Sequence, residues 1–124
     1  MKDFALKEQM NLVVTARFIA KGSDVPVTGK LFSVRLYDKD VFGDDFLGES
    51  KLNEQGEASI LVDSKAFSDL FNIEALPDFY FVLYNNQVPI FTSKVMEDID
   101  VENLNNFTPG TGGVVDLGTF LVAI

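Results

Sequence analysis

The chain contains no cysteine and no histidine. Their absence excludes Ser-His-Asp and Cys-His catalysis, thiol redox chemistry, and zinc sites built on thiolate or imidazole. We therefore predict a protein without catalytic residues. The lack of cysteine fits a reducing compartment, and residues 1–8 are charged and lack the apolar core of a signal peptide. Both observations favour a cytoplasmic location.

Basic charge and long apolar runs are also scarce. Ten Lys and Arg residues stand against nineteen Asp and Glu residues, for a net charge of −9. Because phosphate binding needs a positive surface, this balance argues against nucleic acid and against attraction to anionic membranes without a cation. No run approaches the roughly 18 apolar residues of a membrane-spanning helix.

The composition indicates one ordered domain. The chain has 124 residues, 47% hydrophobic and 23% charged, so we predict a single domain over 1–124 with its core in about 11–124. Apolar residues alternate with polar ones in several short segments, which is typical of half-buried strands. The predicted strands cover residues 11–21, 30–37, 46–52, 58–62, 79–84, 88–95 and 114–124.

The connections complete the predicted fold class. Residues 53–57 form a hairpin turn in which Gly56 supplies a positive φ. Residues 64–71 are the one plausible helix, and residues 103–113 are predicted to be loop. The whole pattern favours an all-β fold: a seven- to eight-stranded antiparallel Greek-key β-sandwich with one short helix.

Two predicted strands, 79–84 and 114–124, are apolar on both faces. Something must then cover the outer face: the short helix, residues 1–10, or another subunit. We expect that a protein partner, or a second copy of the chain in a homodimer, is one way in which this face is covered. The tyrosines of the sheets have two interpretations, sheet packing or part of a binding face; these are Tyr37, Tyr80 and Tyr84.

Five carboxylates lie close together in one loop, and only Lys39 offsets them: Asp38, Asp40, Asp44, Asp45 and Glu49. Carboxylates this close repel one another, and a cation relieves the repulsion. Calcium accepts six to eight oxygen ligands in flexible geometry. The sequence therefore predicts a calcium site here, with a solvated acidic turn as the alternative.

The same loop resembles the calcium loop of the phospholipid-binding domains of protein kinase C and synaptotagmin. The similarity lies in Asp38-Lys39-Asp40 followed by Asp45-Phe46-Leu47-Gly48-Glu49. It implies that Asp38, Asp40 and Asp45 hold calcium and that the loaded loop touches a membrane. Calcium-dependent phospholipid binding is therefore our alternative function.

A second resemblance covers residues 12 to 124. Transthyretin-like and carboxypeptidase-regulatory-like domains share a prealbumin-type sandwich with a similar order of elements. The matching segments are 13–19, 25–29, 33–40, 53–58, 77–82 and Asp116-Leu117-Gly118. The hydroxyisourate hydrolases of that superfamily rely on histidines and a C-terminal Tyr-Arg-Gly-Ser, whereas this chain has no histidine and ends Leu-Val-Ala-Ile.

The resemblance implies a non-enzymatic binding or structural module that presents its acidic loop, the loop for which the crowded carboxylates predict calcium binding. A hydrolase built on a carboxylate pair is a third hypothesis. Its residues would come from Asp38, Glu49 and Asp78, since glycosidase-type catalysis needs two acids at a set separation in a cleft.

Overall fold

A computed structural model describes residues 12–39, 43–62, 78–97, 107–108 and 112–124. All regular structure in these residues is β. The strands are β1 (Leu12–Ala20), β2 (Phe32–Asp38), β3 (Asp45–Lys51), β4 (Glu57–Val62), β5 (Phe79–Asn85), β6 (Val88–Thr92), β7 (Phe107–Thr108) and β8 (Gly112–Val122).

The strands form two four-stranded sheets. The first, sheet I, has the order β4-β1-β8-β7, and the second, sheet II, has the order β3-β2-β5-β6. Buried side chains from both sheets form one apolar cluster between them. The molecule is therefore a β-sandwich, which confirms the prediction at the level of an all-β sandwich.

Phenylalanines join the two sheets in the core. Phe18 of β1 lies edge-on to Phe81 of β5, with ring centroids 5.8 Å apart, and is stacked on Phe120 of β8 at 5.4 Å. Phe81 and Phe120 are 5.6 Å apart. Aromatic pairs at such separations add to the free energy gained by burying their surface, so this cluster fixes how the sheets face each other.

The alternation read from β1 is confirmed. Val14 and Phe18 are completely buried and Ala16 is 2% exposed, whereas Arg17 between them is exposed. Alternate side chains of a strand point to opposite faces. One face of β1 therefore lies on the core and the other faces outward.

One strand pairing differs from the prediction. β1 runs parallel to β8, so the expectation of an entirely antiparallel sandwich is wrong at this pair. The pairing contains a bulge: Ala16 stands opposite two residues of β8, Leu117 and Gly118, and Gly118 has a φ of +100°. A left-handed φ suits glycine, which explains why the extra residue is placed there.

The predicted loop over 103–113 is also partly wrong. Phe107 and Thr108 form the short strand β7, which pairs with Gly113 and Gly112 at the start of β8. The glycines and polar residues of this segment indicate a loop when read alone. Pairing with β8 overrides that local preference.

A turn at 53–57 is confirmed, but the predicted hairpin is wrong: β3 pairs with β2 in sheet II and β4 pairs with β1 in sheet I, so the turn connects the two sheets. The Asn53 side-chain oxygen accepts hydrogen bonds from the backbone N–H groups of Gln55 and Glu57, both at 2.9 Å. Gly56 has a φ of +77°, and its carbonyl oxygen accepts a hydrogen bond from the N–H of Phe18 at 2.8 Å. The turn is thus tied to the core strand β1.

Three predictions lie outside the described residues. They concern the helix at 64–71, the covering role of residues 1–10, and Asp40 as a calcium ligand. In the described part of the chain, no helix has the length and apolar character needed to cross a membrane.

Candidate binding face

The outer face of sheet II carries a row of three aromatic rings. Tyr37 of β2 stands opposite Phe46 of β3 on one side and Tyr80 of β5 on the other. The rings of Tyr37 and Tyr80 are stacked with centroids 5.3 Å apart, and those of Tyr37 and Phe46 are 5.8 Å apart and tilted by 60°. Cross-strand aromatic pairs stabilise a sheet and fix side-chain rotamers.

Arg35 lies next to this row, two residues before Tyr37 on the same face of β2. Its Cζ is 4.6 Å from the centroid of the Tyr84 ring and 5.8 Å from that of Phe46. Both distances fall within the range of cation–π attraction. The Arg35 Nε is 3.6 Å from Glu49 Oε1, an ion-pair distance longer than a hydrogen bond. We call these six residues the aromatic face: Arg35, Tyr37, Phe46, Glu49, Tyr80 and Tyr84.

A bulge in β3 directs Phe46 to this face. Leu36 stands opposite Gly48, whereas the next residue, Tyr37, stands opposite Phe46, so Leu47 is the extra residue. At such a bulge two neighbouring residues oppose one residue of the partner strand. Leu47 is consequently buried in the core and Phe46 is 55% exposed.

β3 can reach this position because it carries a glycine where it crosses β4. A Cβ built on Gly48 would be 2.7 Å from Ile60 Cγ2 and 3.0 Å from the carbonyl oxygen of Leu61. Both distances are shorter than van der Waals contact, so a larger residue would push β3 away from sheet I. Gly48 therefore helps to position both Phe46 and Glu49.

The hydroxyl groups of the face are held by specific partners. The Tyr80 hydroxyl donates a hydrogen bond to Asp44 Oδ2. Burial, together with this bond and the Asp44 charge, raises the pKa of Tyr80 to about 12. A hydrogen bond with Tyr37 raises the pKa of Tyr84 and also that of Arg35. At neutral pH, Tyr80 and Tyr84 are therefore uncharged and Arg35 is cationic.

One end of the aromatic face opens into a cleft of about 490 Å³. The lining combines basic side chains, side-chain amides and the Tyr84 ring, and we call it the basic cleft. Its lining residues are Lys30, Leu31, Ser33, Arg35, Glu49, Lys51, Tyr84, Asn86 and Gln87. An open cleft with an aromatic wall and convergent polar groups is suited to binding a ligand.

Two of the predicted calcium ligands are engaged by other protein groups. Asp38 is only 6% exposed, and its Oδ1 accepts a hydrogen bond from the backbone N–H of Asp78 at 3.0 Å. Asp44 accepts the Tyr80 hydroxyl. These contacts stabilise carboxylate charge without a metal ion.

Of the other predicted ligands within the described residues, Asp45 stands opposite Asp38 in the β2–β3 register. Glu49 pairs with Arg35 on the outer face of sheet II, and Asp45 is exposed at the start of β3. Asp40 lies outside the described residues. Among the described residues, no three acidic side chains lie close enough together to hold a metal ion. A calcium site that includes Asp40 stays a prediction.

Two carboxylates of the third hypothesis, Asp38 and Glu49, do not face each other across a cleft. Asp38 continues the inward alternation of Val34 and Leu36 and is buried, whereas Glu49 stands opposite the outward-facing Arg35. Asp38 and Glu49 thus lie on opposite faces of sheet II. Asp78 contacts Asp38 through its backbone N–H.

Sequence reasoning identified the three tyrosines but left their role open, and it did not identify Phe46, Lys30 or Lys51. The available signal was the alternation of β2 and β5, which places Arg35, Tyr37, Tyr80 and Tyr84 on one face. Phe46 gave no such signal, because its orientation depends on the bulge at Leu47.

No family model and no curated protein matches the chain. Among solved structures, the chain is similar to a 9R-lipoxygenase from Cyanothece PCC8801, with a TM-score of 0.53 and 21% identity over 94% of this chain. The chain spans 17% of the length of that lipoxygenase. The likeness concerns the fold alone, and the resemblance to transthyretin-like domains stays a prediction.

Proposed function

We propose that the protein is a non-enzymatic binding module that engages a protein partner through the aromatic face of sheet II. The observation that carries this proposal is the group of four aromatic rings that shares one face of sheet II with Arg35, with Phe46 55% exposed. Aromatic residues and arginine are enriched in the buried centres of protein interfaces. Such side chains supply most of the binding free energy in many complexes.

The face is preorganised for binding. Tyr37 is stacked on Tyr80, Tyr80 donates to Asp44, and Arg35 lies over Tyr84. These contacts restrict the rotamers before a partner arrives. Binding then costs less side-chain entropy than it would with mobile side chains.

The chemistry of the face also favours binding over catalysis. Its groups are aromatic rings, two phenols with raised pKa values, a guanidinium and a carboxylate that is paired with it. A general base at neutral pH needs a pKa near the working pH. Phenols with raised pKa values do not meet this requirement.

A pair of matched substitutions tests the proposal. Phe46→Asp places a charge on the aromatic face, and Leu121→Asp places the same charge at an exposed position of β8 in sheet I, where Leu121 is 52% exposed. The wild-type protein is immobilised at a pH at which it is folded and is incubated with an extract of its source organism. The proteins that bind to it are then captured by cross-linking. The affinity of the purified partner is then measured by calorimetry.

We expect Phe46→Asp to weaken binding at least tenfold and Leu121→Asp to leave it within twofold. Equal affinities for the wild type and Phe46→Asp would overturn the proposal, as would a selective loss with Leu121→Asp. Sedimentation velocity of the protein alone shows whether the partner is a second copy of this chain. In that case Phe46→Asp is expected to be monomeric.

A further inference from the structure

The basic cleft differs in charge from the rest of the molecule. Its lining holds three cationic side chains, Lys30, Arg35 and Lys51, and one carboxylate, Glu49. The local charge is therefore about +2 on a chain whose net charge is −9. Charge concentrated in a cleft attracts ligands of opposite sign more strongly than the same charge spread over a surface.

Strand register places the cationic groups around one opening. Ser33 of β2 stands opposite Lys51 of β3 and also opposite Tyr84 of β5. The Lys51 ammonium donates a hydrogen bond to the carbonyl oxygen of Lys30 at 3.2 Å. An ammonium has three donors, so this bond holds Lys51 at the opening and leaves donors for a ligand.

Side-chain amides lie beside these cations. Asn86 and Gln87 form the β5–β6 turn, with φ values of +54° and +70°. The backbone N–H of Asn86 donates to the carbonyl oxygen of Leu31 at 2.8 Å, which fixes this turn beside the segment that carries Lys30. Amides both donate and accept hydrogen bonds and can therefore pair with a peptide backbone.

We propose that the basic cleft binds an acidic segment of the partner protein, with the carboxylates of that segment on Lys30 and Lys51 and its backbone against Asn86 and Gln87. The inference rests on the proposed function, because the cleft is continuous with the aromatic face through Arg35 and Tyr84. Binding at the cleft would orient the partner for contact with Phe46.

The geometry favours carboxylates over phosphate groups. Phosphate recognition commonly uses an arginine fork that is free to bind two oxygens. Here the guanidinium of Arg35 lies over Tyr84, and its Nε is buried beside Glu49 without a hydrogen-bond partner.

The test uses a fluorescent hexaglutamate peptide and its hexaglutamine counterpart, titrated with the full chain by fluorescence anisotropy. We expect the glutamate peptide to bind, its affinity to fall as salt rises, and the glutamine peptide to bind at least tenfold more weakly. Failure of the glutamate peptide to bind at low salt would overturn the inference, and so would equal binding of the two peptides.

Charge-reversal variants locate the site. Lys51→Glu is expected to weaken peptide binding about tenfold, whereas Lys21→Glu makes the same charge change at an exposed position after β1 and should stay within twofold. Equal losses would indicate a general charge effect and overturn the inference. Lys30→Gln is a second variant of the cleft. Circular dichroism shows whether each variant is folded.

Competition distinguishes the chemistry of the ligand. Millimolar inorganic phosphate that displaces the peptide beyond the effect of matched ionic strength would overturn the assignment to carboxylates. If Phe46→Asp loses partner binding but the wild type does not bind the glutamate peptide, this inference is rejected and the proposed function stands. If the wild type binds the glutamate peptide but Phe46→Asp binds the partner as well as the wild type does, the proposed function is rejected.

Discussion

The two arginines of the chain lie on the outer faces of opposite sheets, and the two faces use them differently. Arg17 of sheet I donates its Nε–H to the carbonyl oxygen of Gln55 at 3.0 Å, so it supports the turn before β4. Arg35 of sheet II lies over Tyr84 and beside Glu49. The first contributes to the fold, and the second places its charge at the edge of a cleft.

The neighbours of each arginine explain the difference. Around Arg17 the lining of a smaller cleft, about 370 Å³, has no aromatic ring among the described residues and combines short side chains such as Thr15 and Ser59 with the carboxylates of Glu57 and Asp116. Around Arg35 the neighbours are large aromatic rings. Short polar side chains offer a partner little apolar surface, whereas aromatic rings offer much. Similar positions in two sheets thus acquire different roles.

The largest effect is expected at the turn that Arg17 supports. Gly56→Ala combines a positive φ with a Cβ that would collide with the Phe18 carbonyl oxygen, and should lower the free energy of unfolding by roughly 2–3 kcal/mol. Gly22→Ala is the control, because Gly22 also has a positive φ but has open space around it. Equal losses in urea denaturation would show that the collision is relieved at no cost.

Replacing each arginine by alanine separates an effect on stability from an effect on binding. Arg17→Ala should lower the free energy of unfolding by about 1 kcal/mol, since it removes a charged donor from Gln55. It should leave hexaglutamate affinity unchanged, whereas Arg35→Ala should reduce that affinity. Urea denaturation and anisotropy measure the two quantities. The comparison fails if Arg17→Ala weakens peptide binding as much as Arg35→Ala does.

The ionisation of Tyr80, which lies in sheet II, makes the free energy of unfolding depend on pH. Its pKa is raised to about 12, so the fold favours the neutral phenol. This contribution to stability is complete below pH 10 and is lost as pH rises from about 10 to 12. Tyr80→Phe should cost about 0.5–1 kcal/mol at pH 8 and reduce the loss of stability between pH 10 and 11.5.

Ultraviolet titration of tyrosinate checks this assignment. Asp44→Asn should lower the pKa of Tyr80, because it removes the negative charge and replaces a charged hydrogen-bond acceptor with a weaker neutral one. An unchanged titration in Asp44→Asn would show that Asp44 does not control Tyr80.

The smallest effect concerns the predicted calcium site beside sheet II. If the site forms, calcium at a concentration equal to its dissociation constant adds about 0.4 kcal/mol to the free energy of unfolding. Asp40→Asn should abolish the accompanying rise in melting temperature. If millimolar calcium leaves the melting temperature of the wild type unchanged, the site does not form. Calcium-dependent binding to phospholipid vesicles is then rejected as well.

Local patterns predicted much of the fold. The alternation of Val14, Ala16 and Phe18 identified β1 and its core face, and the residues of the Asn53–Glu57 segment indicated a turn with a positive φ at Gly56. These features depend on residues close in sequence, so the sequence alone is sufficient to read them.

Features that depend on register between distant segments could not be predicted. The parallel pairing of β1 with β8 joins residues about 100 positions apart, and the bulge at Leu47 reverses the orientation expected for Phe46. Asp38 was expected in a solvated or ion-binding loop, but pairing with β5 turns it inward toward Asp78. The basic cleft likewise exists only because three strands and a turn meet.

The position of β1 beside β8 has a consequence for synthesis. Thr15 hydrogen-bonds to Asp116, 101 residues later in the chain. At about 5–20 residues per second, a ribosome needs roughly 5–20 s to make that intervening length. Throughout that interval one edge of β1 lacks its neighbour, and an uncovered edge can recruit strands from other chains. Completion of sheet I therefore waits until translation reaches β8.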